Sequence, residues 1–254
     1  MGGWRHSEAA AGEDAMLGAQ SMLADPEAIE AVIFDVDDTL YLQSEWLAGA
    51  WAAVSAAAAA GDGVDPDALN DALLRIAAEG SDRGGIIDRG LAEVGAADIA
   101  VRPLVDVFLA HRPERLSLLP GVAEMLASLR GDGVGVALVT DGAVTTQESK
   151  LAALGLADLV DHVVLSDELG RQFRKPHPKP VLEALSRLSA EPTRVVMVGD
   201  RPDKDVAAAA GAGVRAVRVR TGEYRGMPDH PFTWRTEDSA VEAVTGLRAA
   251  GLLA

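Results

Sequence analysis

The alternation of short apolar runs with helical segments is the feature that most limits how this chain can fold. An isolated apolar run, Ala31–Phe34, comes early, and from Gly121 onward such runs alternate with segments of helical periodicity. This pattern indicates parallel strands joined by crossover helices that cover both faces of one sheet. We therefore predict an α/β fold with a doubly wound parallel sheet. The predicted strands lie near 31–34, 135–139, 162–165, 194–198 and 214–219, and the helices of this part near 121–130, 144–154, 178–189, 203–210 and 238–250.

Residues 44–115 differ from the rest of the chain in composition. Alanine and leucine dominate there, and no strand pattern interrupts them. We therefore predict an all-helical domain at 44–115, inserted in a core domain of 26–43 and 116–254. Residues 1–25 lack the apolar centre of a secretory signal and are predicted to form a flexible arm. The helices of the insert are predicted near 45–60, 67–79, 84–95 and 101–111.

Charge and cysteine content exclude several kinds of site. The 254 residues carry a formal net charge of -16 and no cysteine, which excludes disulfides, thiolate metal sites and cysteine nucleophiles. So acidic a chain is expected to repel nucleic acid and anionic lipid, and no apolar run reaches the length of a membrane span. We predict a cytoplasmic protein in which any phosphate site needs local positive charge.

Two aspartates follow the first predicted strand. Asp35 and Asp37 are two residues apart, so their carboxylates point the same way if the chain stays extended. At a strand end, one of them can act as a nucleophile while the other protonates a leaving group. The alternative is an acidic cluster that binds a metal ion or forms a turn.

Phosphate-binding residues are predicted at two later places. Thr140 and Asp141 come directly after the strand near 135–139, where a hydroxyl group and backbone amides can hold phosphate oxygens. A helix N-cap is the alternative at this place. Lys175 lies in a Pro-rich basic segment that is either a solvated loop or the source of the positive charge that a phosphate needs.

Two further aspartates follow the strand near 194–198. Asp200 lies just past that strand and Asp205 near the start of the next helix. Oxygen ligands of this kind suit Mg²⁺, while helix capping is the alternative for Asp205. Because ligands of doubly wound sheets bind at the carboxyl ends of the strands, Asp35, Thr140 and Asp200 are expected at one edge of the sheet.

Four segments, in this order, resemble the motifs of the haloacid dehalogenase (HAD) superfamily: FDVDDTL, VTDG, KP and GDRPDKD. The helical insert between the first two resembles the C1 cap of subfamily I. The resemblance implies a HAD-like Rossmannoid core with an inserted helical cap, a Mg²⁺ cofactor, and an enzyme of the phosphatase branch, a phosphoric monoester hydrolase. The acid at Asp37 disfavours the dehalogenases, which lack an acid at that place.

The resemblance also implies a role for each motif residue. Asp35 would be the nucleophile that forms an aspartyl-phosphate, and Asp37 would protonate the leaving oxygen and later activate water. Phosphate binding is assigned to Thr140, Asp141 and Lys175, of which Thr140 and Lys175 would also be catalytic. The metal would be bound by Asp35, Asp200 and the backbone carbonyl of Asp37. Asp205 would be a supporting residue.

The expected substrate is a small phosphometabolite, such as a sugar phosphate, because a cap that closes over the site excludes bulky partners. The alternatives are a nucleoside 5'-monophosphatase, a β-phosphoglucomutase-like phosphomutase and, less favoured, a non-catalytic phosphate-binding module. No nucleic-acid or membrane partner is expected, and the sequence leaves the oligomeric state open. Trp46 and Trp51 fit a helical core better than a substrate cleft, and residues 220–235 fit a surface loop.

Overall fold

The computed structural model describes residues 28–253, so the predicted arm at 1–25 lies outside the described residues. Parallel strands form one sheet, which confirms the predicted α/β class and its doubly wound parallel sheet. The strands are β1 (Ala31–Phe34), β2 (Gly135–Thr140), β3 (His162–Leu165), β4 (Val195–Gly199), β5 (Arg215–Val219) and β6 (Thr233–Glu237). Their order in the sheet is β3-β2-β1-β4-β5-β6.

Helices connect and follow these strands. Within the described part of the chain, none of them is long and apolar enough to cross a membrane. In chain order they are α1 (Gln43–Asp62), α2 (Pro66–Ala77), α3 (Ile86–Glu93), α4 (Val101–Ala110), α5 (Val122–Gly131), α6 (Val144–Leu154), α7 (Lys179–Leu188), α8 (Ala207–Gly211) and α9 (Ala240–Ala249).

The order of the strands reverses at β1, which pairs with β2 on one side and with β4 on the other. Phe34 is level with Leu138 of β2 and Val198 of β4, so the residues that follow these strands emerge side by side. Such a reversal opens a crevice at the carboxyl ends of the strands, where ligands bind. The sheet thus carries Asp35 and Asp200 to the same crevice.

Apolar side chains hold the central strands in the core. Every residue of β1 and of β4 is buried, as expected for strands that are covered on both faces. Alternate residues of the two strands, Ala31 and Ile33 of β1 and Val195 and Met197 of β4, belong to one apolar cluster. The same cluster contains Val181 and Ala184 of α7 and Ala208 of α8. Burial of this surface fixes the strand ends, and with them the polar residues that come next.

A separate helical unit comprises Tyr41–Leu119 and Gly142–Leu156. Trp51 stacks on Phe108 with ring centroids 4.3 Å apart, and Trp46 meets Phe108 edge-on at 5.1 Å. Both tryptophans are buried, so they are core residues of this unit.

The other unit contains, among the described residues, 28–40, Pro120–Asp141 and 157–253. It differs from the core domain proposed from the sequence chiefly because α6 groups with the helical unit and not with the sheet. The domain boundaries 26–43, 116–254 and 44–115 therefore stay a prediction.

Two details differ from the sequence prediction. Residues 233–235, predicted as part of a surface loop, belong to a sixth strand beside β5. All of β6 is half-buried and its sequence TWRTE has no apolar run, because an edge strand needs no continuous apolar face. The helix predicted near 203–210 is shorter, since Pro202–Val206 form a wide π-type turn and α8 begins at Ala207.

Candidate active site

Asp35 lies at the carboxyl end of β1 and is 5% exposed. Its backbone N–H donates to the carbonyl of Val198 at 2.9 Å, which anchors it to β4. Its two carboxylate oxygens have different partners. The ammonium of Lys175 donates to Oδ1 at 2.5 Å, and the hydroxyl group of Thr39 donates to Oδ2 at 3.1 Å. The orientation of this carboxylate is therefore fixed by the protein.

The chain turns after Asp35, and the turn carries Asp37 and Asp38. The carbonyl of Val36 accepts from the backbone N–H of Leu40 at 3.0 Å. Asp38 adopts the left-handed conformation with a φ of 58°, which aspartate tolerates better than most residues. Asp37 is half-buried, so it is more open to water than Asp35, as its predicted role in proton transfer requires.

Lys175 is a buried cation in this site. Besides Asp35, its ammonium donates to Oδ1 of Asp205 at 2.7 Å and to the carbonyl of Val139 at 3.2 Å. These contacts use all three donors of the ammonium group. The second oxygen of Asp205 accepts from the backbone N–H of Arg201 at 2.9 Å. Asp205 thus contacts Lys175 directly, and its supporting role stays a prediction.

Three carboxylates converge beside this lysine. Asp35, Asp200 and Asp205 are all buried, and one oxygen of each lies within 4.8 Å of the others. Gly199 permits this approach, because a Cβ at that position would overlap the carboxylate of Asp205. The side chain of Asp37 does not belong to this group. The family resemblance assigns the backbone carbonyl of Asp37, and not its carboxylate, to the metal.

Burial and repulsion shift the pKa values of these groups. Burial raises the pKa of Asp35 to about 7, although the Lys175 ammonium opposes this shift. Burial, followed by the charges of Asp205 and Asp35, raises the pKa of Asp200 well above its usual range. Burial alone would lower the pKa of Lys175, but the carboxylates of Asp205 and Asp35 raise it well above its ordinary value. Three carboxylates facing one ammonium fit a hard divalent cation such as Mg²⁺.

Thr140 and Asp141 lie at the end of β2, beside the end of β1. Thr140 is the last residue of the strand and is buried. Oδ1 of Asp141 accepts from the backbone N–H of Lys175 at 3.2 Å, so this carboxylate helps to hold the segment that carries the lysine. The fold brings Thr140, Asp141 and Lys175 to the same edge of the sheet, and phosphate binding by them stays a prediction.

Two contacts of the site are not identified by the sequence reasoning. Thr39 donates to Asp35, and its place inside the FDVDDTL motif, four residues after Asp35, is a sequence signal, although no role is predicted for it above. The carbonyl of Val139 accepts from Lys175 and gives no signal, because every residue has a backbone carbonyl.

A family model described as "Hydrolase: haloacid dehalogenase-like hydrolase" matches residues 29–213. This range contains all four motifs, and the predicted resemblance is confirmed. Over 207 residues the chain is 36% identical to a glyceraldehyde 3-phosphate phosphatase of Methanopyrus kandleri, covering 78% of this chain and 87% of the relative. It is 34% identical over 206 residues to a phosphoglycolate phosphatase of Rhodospirillum rubrum, covering 77% of this chain and 81% of the relative.

A solved structure has the same fold. The HAD phosphatase from Thermococcus onnurineus superposes with a TM-score of 0.62 at 24% identity, covering 89% of this chain and 99% of that one. At this identity the likeness concerns the architecture alone, and it agrees with the doubly wound sheet described above.

Proposed function

Since the chain belongs to the haloacid dehalogenase-like hydrolase family, we propose that it hydrolyses a small phosphometabolite through Asp35, with Mg²⁺ as its cofactor. The predicted enzyme class, a phosphoric monoester hydrolase, is confirmed by relatives that are named as phosphatases. One observation carries the proposed mechanism: the buried carboxylate of Asp35 is held by Lys175 and Thr39 beside Asp200.

The relatives support a short phosphorylated carbon chain as the substrate. One is named for glyceraldehyde 3-phosphate and the other for phosphoglycolate. Both compounds carry a single phosphate on a small polar molecule. In a chain with a net charge of -16, the buried ammonium of Lys175 supplies the local positive charge that such an anion needs.

Asp35 and Asp200, together with the backbone carbonyl of Asp37, would hold the Mg²⁺. Their oxygen atoms are the ligands that this ion prefers. A bound cation would favour the charged forms of Asp35 and Asp200, whose pKa values are raised by burial and by the neighbouring carboxylates. When bound, the ion would offset the charge of the substrate phosphate and polarise its oxygens.

The residues of the chain divide the proposed reaction into two steps. First, an oxygen of Asp35 bonds to phosphorus as the bond to the leaving oxygen breaks, and Asp37 gives its proton to that oxygen. Lys175 offsets charge on the phosphoryl oxygens and Thr140 donates a hydrogen bond to one of them. Next, Asp37 takes a proton from water, whose oxygen attacks phosphorus and breaks the bond to Asp35. Inorganic phosphate leaves and both carboxyl groups return to their starting states.

Phosphate release from a panel of compounds tests this proposal. The panel contains glyceraldehyde 3-phosphate, phosphoglycolate and a nucleoside 5'-monophosphate, each with Mg²⁺ and with EDTA. The wild type is compared with Asp35→Asn and with Asp132→Asn, a control in which the aspartate precedes β2 at the opposite edge of the sheet and pairs with Arg248. We expect release that requires both Mg²⁺ and Asp35 and that the control retains.

The covalent step has its own measurement. After acid quenching of the wild type during turnover, mass spectrometry should find one added phosphoryl group on the peptide that contains Asp35. Turnover by Asp35→Asn at the wild-type rate would contradict the nucleophile, and the absence of release from every compound would contradict the activity itself.

A further inference from the structure

The loop between β5 and β6, residues 220–232, is anchored by Arg218 of β5. This arginine is 0% exposed. Its guanidinium group donates to the carboxylate of Asp229 at 2.5 Å and to the backbone carbonyls of Tyr224 at 2.9 Å and Arg225 at 3.4 Å. The loop is therefore tied to the core, although the proposed mechanism gives it no role.

One end of this loop holds the turn that follows the proposed nucleophile. The hydroxyl group of Thr221 donates to the carbonyl of Asp38, and the backbone N–H of Glu223 donates to Oδ2 of Asp38 at 3.1 Å. Gly222 between them has a φ of 64°, and a Cβ there would overlap the side chain of Asp38. Three consecutive loop residues thus fit around one residue of the turn.

The next residue, Tyr224, contacts the turn that follows β4. Its ring lies against the guanidinium group of Arg201, with the central carbon of that group 3.6 Å from the ring centroid. The backbone N–H of Arg201 donates to Asp205, which accepts from the ammonium of Lys175. A continuous series of contacts therefore joins Tyr224 to the ammonium that holds Asp35.

The loop contacts two turns of the site at once. Asp38 belongs to the turn that follows Asp35, and Arg201 lies in the segment that carries Asp200 and Asp205. A segment that contacts Asp38 on one turn and Arg201 on the other limits movement of the ends of β1 and β4 relative to each other.

We propose that residues 221–224 form a brace that fixes the relative positions of Asp35 and Lys175, and that Tyr224 is a positioning residue of the reaction. The inference rests on the proposed function, because the brace acts on the residues to which that function assigns the chemistry. Tyr224 works through Arg201 and Asp205 and supplies no reacting group. Loss of its ring should leave the reacting groups present but less well placed, and small displacements of such groups reduce rates strongly.

The test compares Tyr224→Ala with Tyr224→Phe, which keeps the ring, and with Trp234→Ala. The control removes a comparable pair in the same unit, since the guanidinium group of Arg235 lies 4.5 Å from the Trp234 ring on β6. For each protein, kcat and KM are measured on the best substrate of the panel. The rise in unfolding temperature is also measured as Mg²⁺ is added without substrate.

We expect Tyr224→Ala to lower kcat about tenfold with KM within about twofold. The Mg²⁺ concentration needed for a given rise in unfolding temperature should increase about tenfold. Tyr224→Phe and Trp234→Ala should match the wild type in both measurements. The brace is overturned if Tyr224→Ala matches the wild type, or if Tyr224→Phe loses as much as Tyr224→Ala.

The Mg²⁺ titration separates failure of the brace from failure of the proposed function. If the wild type hydrolyses no phosphomonoester, the proposed activity fails and the shift of the titration in Tyr224→Ala decides the brace by itself. If Mg²⁺ leaves the unfolding temperature of the wild type unchanged, the proposed metal site fails, and the kcat of Tyr224→Ala relative to that of the wild type decides the brace.

Discussion

The ammonium of Lys175 lies 2.5 Å from the carboxylate of Asp35, although 140 residues separate the two in the chain. The side chains of both residues are almost inaccessible to water, with 3% of Lys175 and 7% of Asp35 exposed. A charge at this depth is stable only with a partner of opposite sign. The pair is therefore coupled, and the loss of one partner should affect the folding of the protein as well as its reaction.

Replacement of Lys175 by methionine tests this coupling. Lys175→Met removes the cation and keeps most of the side-chain volume, so Asp35 and Asp205 are left buried without it. We expect the free energy of unfolding in EDTA to fall by about 3–5 kcal/mol, as for other broken buried ion pairs, and kcat to fall by at least about a hundredfold.

Urea unfolding in EDTA and steady-state kinetics provide these two numbers. Lys179→Met is the matched control, because this lysine lies four residues later and its Nζ lies over the ring of Phe173 at 3.7 Å. The control should change the unfolding free energy by less than about 1 kcal/mol. Equal losses in the two variants would argue against a special role for the buried ion pair.

Asp205 has two hydrogen bonds that only a carboxylate can make with full strength. Asp205→Asn keeps the size of the side chain but weakens its contacts with Lys175 and with the backbone of Arg201. We expect kcat to fall about 10–100-fold, the usual effect of removing a group that orients a catalytic residue. Asp132→Asn again serves as the control. A rate within about twofold of the wild type would mean that Lys175 needs no support from Asp205.

Much of the site's placement follows from the sequence because it depends on the sheet. The apolar runs at Ala31–Phe34 and His162–Leu165 are strands with the predicted bounds. In a parallel sheet all carboxyl ends lie at one edge, so a polar residue directly after each strand is carried to a common crevice. Asp35 and Asp200 come directly after β1 and β4, and Thr140 is the last residue of β2. Their place at one edge of the sheet therefore required no knowledge of side-chain contacts.

The remaining features depend on contacts that periodicity does not encode. β6 lies at the edge of the sheet and lacks an apolar run, so its sequence resembles that of a loop. The contact between Asp205 and Lys175 depends on the wide turn at Pro202–Val206, which no apolar spacing indicates. The bond from Thr221 to Asp38 spans 183 residues, and only the assembled fold brings these two segments together.

Gly222 offers a direct test of the fit between the loop and Asp38. Gly222→Ala places a Cβ where it overlaps the Asp38 side chain, at a φ of 64° that favours glycine. Both effects act against the native loop, so we expect the free energy of unfolding to fall by about 1–3 kcal/mol and kcat to fall with it. Urea unfolding and steady-state kinetics measure the two changes.

Gly226→Ala is the control for this substitution. Gly226 lies in the same loop, but nothing lies within 4 Å of the position of a Cβ there. The control should therefore retain the stability and the kcat of the wild type. A Gly222→Ala protein as stable and as active as Gly226→Ala would mean that Asp38 and the loop adjust to each other without cost.

The ion pair that anchors the loop should make stability depend on pH in acid. Burial would raise the pKa of Asp229, but its hydrogen bond with Arg218 and the charge of that arginine outweigh this and lower the pKa below the ordinary value. A carboxyl whose pKa is lower in the folded state contributes stability above its unfolded pKa, and this contribution is lost as the pH falls through the folded value.

Asp229→Asn removes that contribution. The side chain of Arg218 is 1% exposed and that of Asp229 is 38% exposed, so the cost at pH 7 should be about 1–2 kcal/mol, below that of a fully buried pair. The difference between the wild type and the variant should shrink as the pH falls below about 4, where Asp229 of the unfolded chain becomes protonated, and should be lost once the folded-state pKa is passed. Urea unfolding at a series of pH values measures it.

Asp106→Asn shows what an exposed ion pair contributes under the same conditions. Its partner Arg102 lies 3.1 Å away on the surface of α4, with side chains 84% and 57% exposed for the arginine and the aspartate. We expect this control to cost less than about 0.5 kcal/mol at pH 7. If Asp229→Asn lowered the free energy of unfolding by the same amount at every pH, the loss would come from packing and not from the ion pair between Asp229 and Arg218.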